Sequence, residues 1–66
     1  MLIASVAFRY ASVEAAEEAI RSARVLQEVT RSEPGVLSYS WSADLVDPRV
    51  LHVVEVYEDR TALEGH

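Results

Sequence analysis

The tripeptide Glu33-Pro34-Gly35 constrains this chain more than any other feature, because it stops a helix halfway along a sequence of 66 residues. Proline disfavours a helical conformation in the residue before it, and glycine accommodates the turn that follows. An acidic segment with helical spacing precedes the tripeptide, and two alternating segments follow it. The sequence therefore predicts one long helix before the tripeptide and a pair of strands after it.

Residues 2 to 10 alternate with a period of two, which is typical of a strand. Both faces of this strand are largely apolar, so we expect it to be central in its sheet or covered on both sides. Ser12 is placed to cap a helix over Val13–Arg31. The predicted buried stripe of that helix consists of Ala16, Ile20, Ala23, Leu26 and Val29 or Thr30, and its predicted outer surface carries Arg21, Arg24, Glu28 and Arg31.

The second half of the chain predicts a hairpin followed by a short helix. Residues 36 to 43 alternate sharply, Asp47-Pro48 marks the connection, and residues 50 to 57 are rich in β-branched side chains. Asp59 can cap the last helix. The apolar side of the first of these two strands carries Leu37, Tyr39, Trp41 and Ala43. This order predicts an α+β fold of the ferredoxin-like β-α-β-β-α type without its final strand, with an antiparallel sheet and helices on one face.

A chain of this length allows one domain, spanning 1–66, which buries only about 60% of the surface that the unfolded chain exposes. The sequence has no cysteine for a disulfide and no recognisable metal-ligand spacing, so we expect a second copy to supply stability. The net charge of −5 disfavours nucleic acid as a partner. No apolar run is long enough to span a membrane, and the amino terminus does not look like a signal peptide, so we expect a cytoplasmic protein.

Several short motifs follow one another in a fixed order. They are Glu33-Pro34-Gly35-Val36-Leu37-Ser38-Tyr39, Asp47-Pro48, Glu55-Val56-Tyr57-Glu58-Asp59, Ala62-Leu63 and His66. Eight positions separate Asp47 from Glu55, two separate Glu55 from Tyr57, and nine separate Tyr57 from His66. In this order and spacing the chain resembles the small antibiotic-biosynthesis monooxygenase (ABM) family over nearly its whole length. Members of that family continue past this histidine through a longer helix and a fourth strand.

Glu55 and Tyr57 lie two residues apart on the predicted third strand, so they point to the same side of the sheet. The resemblance implies that this side faces a cavity between sheet and helices, with Tyr57 in the place of the family's usual tryptophan. It also implies that His66 faces this cavity, where a histidine can accept a proton near neutral pH. The predicted catalytic residues are Tyr57, His66 and Glu55. The structural alternative is that Glu55 pairs with an arginine, Tyr57 is a core residue and His66 is inert.

Four other side chains have both a structural and a functional interpretation. His52 lies on the opposite face from Glu55, and we expect a satisfied histidine in the core or in a dimer interface. Tyr39 and Trp41 are expected to pack in the core or in an interface. Arg9 is placed to bind an anionic substrate, to pair with Glu55, or to remain solvated at the end of its strand.

The sequence contains no phosphate loop, dinucleotide fingerprint, zinc spacing or nucleophile elbow. The resemblance implies an oxygenase that uses neither metal nor flavin, so no cofactor is expected. The implied reaction oxidises a small aromatic molecule of the phenol, quinol or anthrone type with O₂. The resemblance also implies a back-to-back homodimer whose two sheets form a barrel.

Two other functions compete with this one. A non-catalytic dimeric module that binds or stabilises a ligand is the main alternative, because a fold does not by itself determine a chemistry. Some relatives of the family open the haem ring with the help of an asparagine on the first strand. This chain has no asparagine, which argues against haem degradation.

Overall fold

The computed structural model describes residues 1–65, which form a three-stranded sheet and two helices. In chain order the elements are β1 (Leu2–Arg9), α1 (Val13–Arg31), β2 (Val36–Ala43), β3 (Val50–Tyr57) and α2 (Arg60–Glu64). The predicted ferredoxin-like β-α-β-β-α order is confirmed, together with the bounds predicted for α1, β2 and β3.

The central strand of the sheet is β3, which pairs antiparallel with β1 on one side and with β2 on the other. Within residues 1–65, β1 is therefore an edge strand, and the prediction that it is central or doubly covered is wrong. Ile3 is 66% exposed and Phe8 is 43% exposed. An alternating pattern shows which side chains are apolar but not which strands pair, so it could not place β1 in the sheet.

The ends of α1 follow from local chemistry. At its start the Ser12 side chain accepts a hydrogen bond from the Ala15 backbone N–H, with 3.1 Å between the two atoms. Beyond its end Gly35 adopts a left-handed conformation with φ of 81°, which glycine takes up without steric cost. The predicted helix stop at Glu33-Pro34-Gly35 is thus confirmed.

The face of α1 that packs on the sheet is narrower than its sequence suggests. The residues buried most completely are Ala16, Ala23 and Thr30, seven positions apart, which is two turns of the helix. Leu26 is exposed, so its predicted membership in the buried stripe is wrong. Of the two alternatives Val29 and Thr30, Thr30 is the buried one and Val29 is exposed. The sheet contacts α1 mainly through β2.

A β-bulge near the start of β2 changes which of its side chains face the helices. Val36 lies opposite Tyr57, and Ser38 lies opposite the residue before Tyr57, so Leu37 is the extra residue between them. Leu37 is 58% exposed, and its predicted place on the buried side is wrong. Beyond the bulge the predicted alternation resumes, beginning with the buried Tyr39.

The carboxylate of Asp44 holds the hairpin between β2 and β3. It accepts hydrogen bonds from the backbone N–H groups of Asp47 and Val46, at 2.8 and 3.0 Å, and it lies 2.7 Å from Nε2 of His52. The Asp47 N–H, the His52 side chain and the Val46 N–H together lower the pKa of Asp44 to about 2. His52 is therefore satisfied, as predicted, but it is partly exposed rather than buried.

The helices cover the face of the sheet that carries Leu51, Val53 and Tyr57, all of which are buried. The opposite face carries Ile3 and Val54 and is not covered by any helix within residues 1–65. The predicted arrangement of both helices on one face is confirmed. In the described part of the chain, no helix is at once long enough and apolar enough to cross a membrane.

The short helix α2 packs beside the turn that ends α1. Its predicted cap is confirmed, because the Asp59 side chain accepts a hydrogen bond from the Ala62 backbone N–H at 3.0 Å. The Glu58 backbone N–H donates to the Gly35 carbonyl at 2.7 Å. A Cβ atom added to Gly35 would collide with Cβ of Ala62, so the close approach of α2 requires glycine at this position.

We expect the substitution Gly35→Ala to lower the free energy of unfolding by about 2 kcal/mol or more. A non-glycine residue in the left-handed region costs about 1 to 2 kcal/mol, and the overlap with Ala62 adds to this. Gly65→Ala is the matched control, because Gly65 has a φ of −79° and an added Cβ would make only ordinary contacts. Denaturant unfolding followed by circular dichroism measures both variants. Equal stability of Gly35→Ala and the parent would contradict this packing.

Candidate active site

Glu55 and Tyr57 lie on the helix-facing side of β3, as their spacing predicts. Tyr57 is completely buried, and Leu51 and Val53 on the same side of the strand are buried as well. Glu55 lies opposite the buried Tyr39 of β2. An acidic side chain is thus held in a layer that is otherwise largely apolar.

The Tyr57 hydroxyl donates a hydrogen bond to Oε1 of Glu55, with 2.7 Å between the two oxygens. Burial raises the pKa of Tyr57 well above its usual value near 10, and the hydrogen bond and negative charge of Glu55 raise it further. Because its ionised form is disfavoured, Tyr57 keeps its proton at neutral pH and acts as a donor rather than a base. The carboxylate of Glu55 is the member of the pair that can accept a proton.

Aromatic side chains extend this pair along the sheet. The buried Tyr39 hydroxyl accepts a hydrogen bond from Nε1 of Trp41 at 3.1 Å. The ring of Trp41 stacks on that of Phe8, with 5.7 Å between the ring centres and 14° between the ring planes. Tyr39 is a core residue, as predicted, whereas Trp41 is only partly buried.

A cavity of about 310 Å³ lies between α1 and the sheet, beside these aromatic side chains. We call it the α1 cavity. Neither Glu55 nor Tyr57 lines it. Helix α1 contributes Ile20, Ala23, Arg24 and Gln27 to its wall, and the sheet contributes Trp41 and Leu51 among others. The structure therefore brings Glu55 and Tyr57 together but places them outside this cavity.

A second cleft, of about 530 Å³, lies between the end of α1 and α2. Its lining includes the carboxylates of Glu33, Glu58 and Asp59. Within the described residues, no group of three or more histidine, aspartate or glutamate side chains is arranged to hold a metal ion. This cleft is therefore an acidic surface feature and not a candidate metal centre.

His66 and Arg9 are the other two candidate site residues, and the structure describes only Arg9. His66 lies outside the described residues, so its position relative to Glu55 stays a prediction. Arg9 points to the face of the sheet opposite Glu55 and donates a hydrogen bond to Asp47 at 3.2 Å. The suggestion that Arg9 pairs with Glu55 is therefore wrong, because the sheet separates the two side chains.

Two residues of the α1 cavity were not identified from the sequence. Arg24 is exposed on α1, as the sequence predicts, but the sequence did not show that it also borders this cavity. Gln27 also lines it, and its side-chain oxygen accepts a hydrogen bond from the Trp41 backbone N–H at 3.1 Å. Helical spacing contained this signal, because Gln27 is four positions after Ala23 and seven after Ile20, on the packed stripe.

The fold and this site define a ferredoxin-like α+β protein with a buried phenol and a partly buried carboxylate on the helix-facing side of its sheet. The sequence profile of antibiotic biosynthesis monooxygenases matches residues 1–66. The chain belongs to the ABM family, and the resemblance seen in its motifs is confirmed.

Solved structures with this fold cover nearly all of the chain. A candidate antibiotic biosynthesis monooxygenase from Deinococcus radiodurans is 28% identical with a TM-score of 0.86, and the match covers 98% of this chain and 64% of that one. A structure named antibiotic biosynthesis monooxygenase is 32% identical with a TM-score of 0.81, covering 98% and 68%. A candidate from Nitrosomonas europaea has a TM-score of 0.84 over 98% and 68%, but its 18% identity shows the fold alone. The chain thus spans about two thirds of the length of these proteins. No curated protein is similar enough in sequence to count as a match.

We expect the free energy of unfolding to fall as the pH rises above about 10, because Tyr57 binds its proton more tightly in the folded state. The unfolded chain loses this proton near its ordinary pKa, whereas the folded chain keeps it until the raised pKa is passed. The stabilisation is therefore complete below about pH 10 and is lost above it, with a slope of about one proton. The sequence has no lysine and no cysteine, whose own titration near this pH range would add to the measured slope.

The variant Tyr57→Phe should remove most of this alkaline slope, and Tyr10→Phe, which changes a tyrosine outside the pair, should leave it in place. Denaturant unfolding from about pH 8 to about pH 11 measures the slope. If Tyr57→Phe retains the slope of the parent protein, then Tyr57 is not the buried proton donor described here.

Proposed function

We propose that the chain forms a cofactor-independent monooxygenase, or the catalytic part of one. Its substrate is a small aromatic molecule of the phenol, quinol or anthrone type, and its oxidant is O₂. The partly buried hydrogen bond between Tyr57 and Glu55 carries the proposal, because it pairs a proton donor with a proton acceptor in a chain of the ABM family. Such an oxidation requires a proton acceptor and a proton donor in a largely apolar environment.

In the proposed reaction the substrate first loses a proton from a phenolic oxygen or an activated carbon. Glu55 accepts this proton, directly or with the help of His66, and Tyr57 donates a hydrogen bond to the developing anion. The anion then passes an electron to O₂ and combines with the reduced oxygen. The resulting peroxide takes up the proton held by Glu55. Its O–O bond then breaks as a second proton leaves the same carbon, so one oxygen atom remains on the product as a carbonyl oxygen and the other leaves as water. Each of these steps uses only side chains, substrate and O₂.

Access to this pair requires movement, because Tyr57 has no exposed surface. The neighbouring helix α2 is the element best suited to move. It has five residues, none of them buried, and it packs beside the end of β3. Elements with few buried contacts open at the lowest free-energy cost. Displacement of α2 gives a substrate a route to Tyr57 from the end of the sheet.

A non-catalytic binding module is the second candidate, and one observation favours it. The α1 cavity is open to a ligand without any movement of Tyr57, and neither Tyr57 nor Glu55 lines it. A molecule bound there would contact Trp41 and would not reach the proton-accepting carboxylate. Turnover of a substrate distinguishes the two candidates.

We expect Tyr57→Phe, Glu55→Gln and His66→Ala each to lower the turnover of an anthrone or quinol by about 100-fold, the low end of what a positioned proton transfer contributes. Each change removes a proton donor or acceptor. Tyr57→Phe and Glu55→Gln keep most of the packing of the side chain, and His66 is the last residue of the sequence. Oxygen consumption and product absorbance measure the rate, and the uncatalysed oxidation is subtracted.

The matched control is Glu58→Gln, which removes an exposed carboxylate one residue beyond Tyr57 and should leave the rate unchanged. Circular dichroism confirms that each variant is folded. If all three site variants retain the turnover rate of the parent protein, then the assignment of these residues as catalytic is wrong. Binding of the substrate without any turnover would support the binding module instead.

We also propose that two copies of the chain associate through the face of the sheet that the helices leave open. This face carries Ile3, which is 66% exposed, and Val54, which is 41% exposed at the centre of the sheet. A small chain gains the most from covering such apolar side chains, because its own core is small. Two copies related by a two-fold axis would present the same face to each other.

We expect Ile3→Lys to weaken self-association by at least about tenfold, since it places a charge in the proposed interface. Leu45→Lys is the matched control, because Leu45 is fully exposed in the hairpin and lies outside this face. Sedimentation equilibrium over micromolar concentrations measures both variants. A parent protein that remains monomeric throughout this range would overturn the dimer.

A further inference from the structure

We propose that the α1 cavity binds a small aromatic anion, with the acidic group of the ligand against Arg24 and its ring against Trp41. Binding at this place goes beyond the oxidation proposed above, because neither Glu55 nor Tyr57 belongs to the cavity wall. It is expected whether or not the bound molecule is oxidised.

The charge of the cavity wall points to an anion. Among residues 1–65, Arg24 is the only charged residue that lines the cavity. Within residues 1–65 its guanidinium group makes no hydrogen bond or ion pair, although Glu28 lies one helical turn further along, at a spacing where ion pairs form. The chain as a whole carries a net charge of −5 and repels anions in general. Arg24 is exposed on α1 and borders the cavity, so it places a positive charge beside this space on a chain whose net charge is negative.

Gln27 adds uncharged donors to the same wall. Its side-chain oxygen already accepts the hydrogen bond from the Trp41 backbone N–H, at 3.1 Å. The amide nitrogen of Gln27 consequently carries the two N–H groups that remain, and a carboxylate oxygen can accept from them. In the part of the chain that the structure describes, no acidic side chain lines the cavity, so no carboxylate in its wall competes for these donors and Arg24.

The rest of the wall suits an aromatic ring. Ile20, Ala23 and Leu51 are apolar, and Trp41 offers a large flat surface. Trp41 is held by three contacts, namely its backbone bond to Gln27, its indole bond to Tyr39 and its stacking on Phe8. A volume of about 310 Å³ is at the lower limit of small-molecule sites and suits one or two fused rings. The fit therefore favours a compact aromatic acid over a larger ligand.

The proposal is tested with 2-naphthoate and its uncharged analogue 2-naphthamide, which share a ring system and differ in charge. Isothermal titration calorimetry gives the two dissociation constants. Trp41 is the single tryptophan of the chain, so its indole N–H resonance reports whether the ligand occupies this cavity. We expect 2-naphthoate to bind about tenfold more tightly than 2-naphthamide and to shift that resonance. The preference should weaken as salt is added.

Two arginines of α1 provide matched variants. Arg24→Gln removes the charge from the cavity wall and should abolish the preference for 2-naphthoate while leaving the binding of 2-naphthamide unchanged. Arg21→Gln removes a charge from the outer surface, where Arg21 pairs with Glu18, and should leave the preference intact. Circular dichroism and the Trp41 resonance of the ligand-free variants confirm that each is folded.

Three results would overturn the proposal. Equal affinity for the two probes would show that the cavity does not select an anion. If Arg24→Gln and Arg21→Gln lose the preference for 2-naphthoate equally, then this preference comes from the overall charge of the helix and not from Arg24. Binding of 2-naphthoate that leaves the Trp41 resonance unmoved would place the ligand elsewhere. None of these results depends on turnover, so they separate this site from the proposed oxidation.

Discussion

The antiparallel pairing of β3 along both of its edges is the constraint on which the rest of this structure depends. It fixes Val53 opposite Val6 on one side and opposite Trp41 on the other, and every other position of the strand follows from that register. A slip of one residue would turn Glu55 and Tyr57 onto the face that carries no helix. The burial of Tyr57, its hydrogen bond to Glu55 and its raised pKa are therefore consequences of strand register. The Asp44 carboxylate supports this register, because it closes the hairpin that joins β2 to β3.

Two chemically different sites lie in one layer between the helices and the sheet. At one end, the buried Tyr57 donates a hydrogen bond to the partly buried carboxylate of Glu55. At the other end, the α1 cavity presents Arg24 beside an aromatic ring. Tyr39 connects the two sites. Its hydroxyl accepts a hydrogen bond from Trp41, which lines the α1 cavity, and its charge contributes to the raised pKa of Tyr57. A ligand that moved the indole would therefore act on a side chain that also borders the acid-base pair.

Local signals predicted the elements of this fold well, and longer-range relations were the source of the errors. The cap at Ser12 and the glycine at Gly35 delimit α1 because both act within a few residues. The common face of Glu55 and Tyr57 followed from the period of a strand. The edge position of β1 and the bulge at Leu37 depend on how strands pair, which no local pattern contains. The catalytic roles rest on the family resemblance and remain a proposal.

The α1 cavity itself has a physical cause in the small side chains that line it. Ala23 of the helix and Ala43 of the sheet both border the space, and neither is large enough to fill it. A void between a helix and a sheet lowers stability, because its walls lose dispersion contacts that a larger side chain would make. Leucine at either position would be expected to reduce the void and add apolar contact. The small side chains at these two positions therefore leave room for a ligand beside an aromatic ring and a cation, namely Trp41 and Arg24.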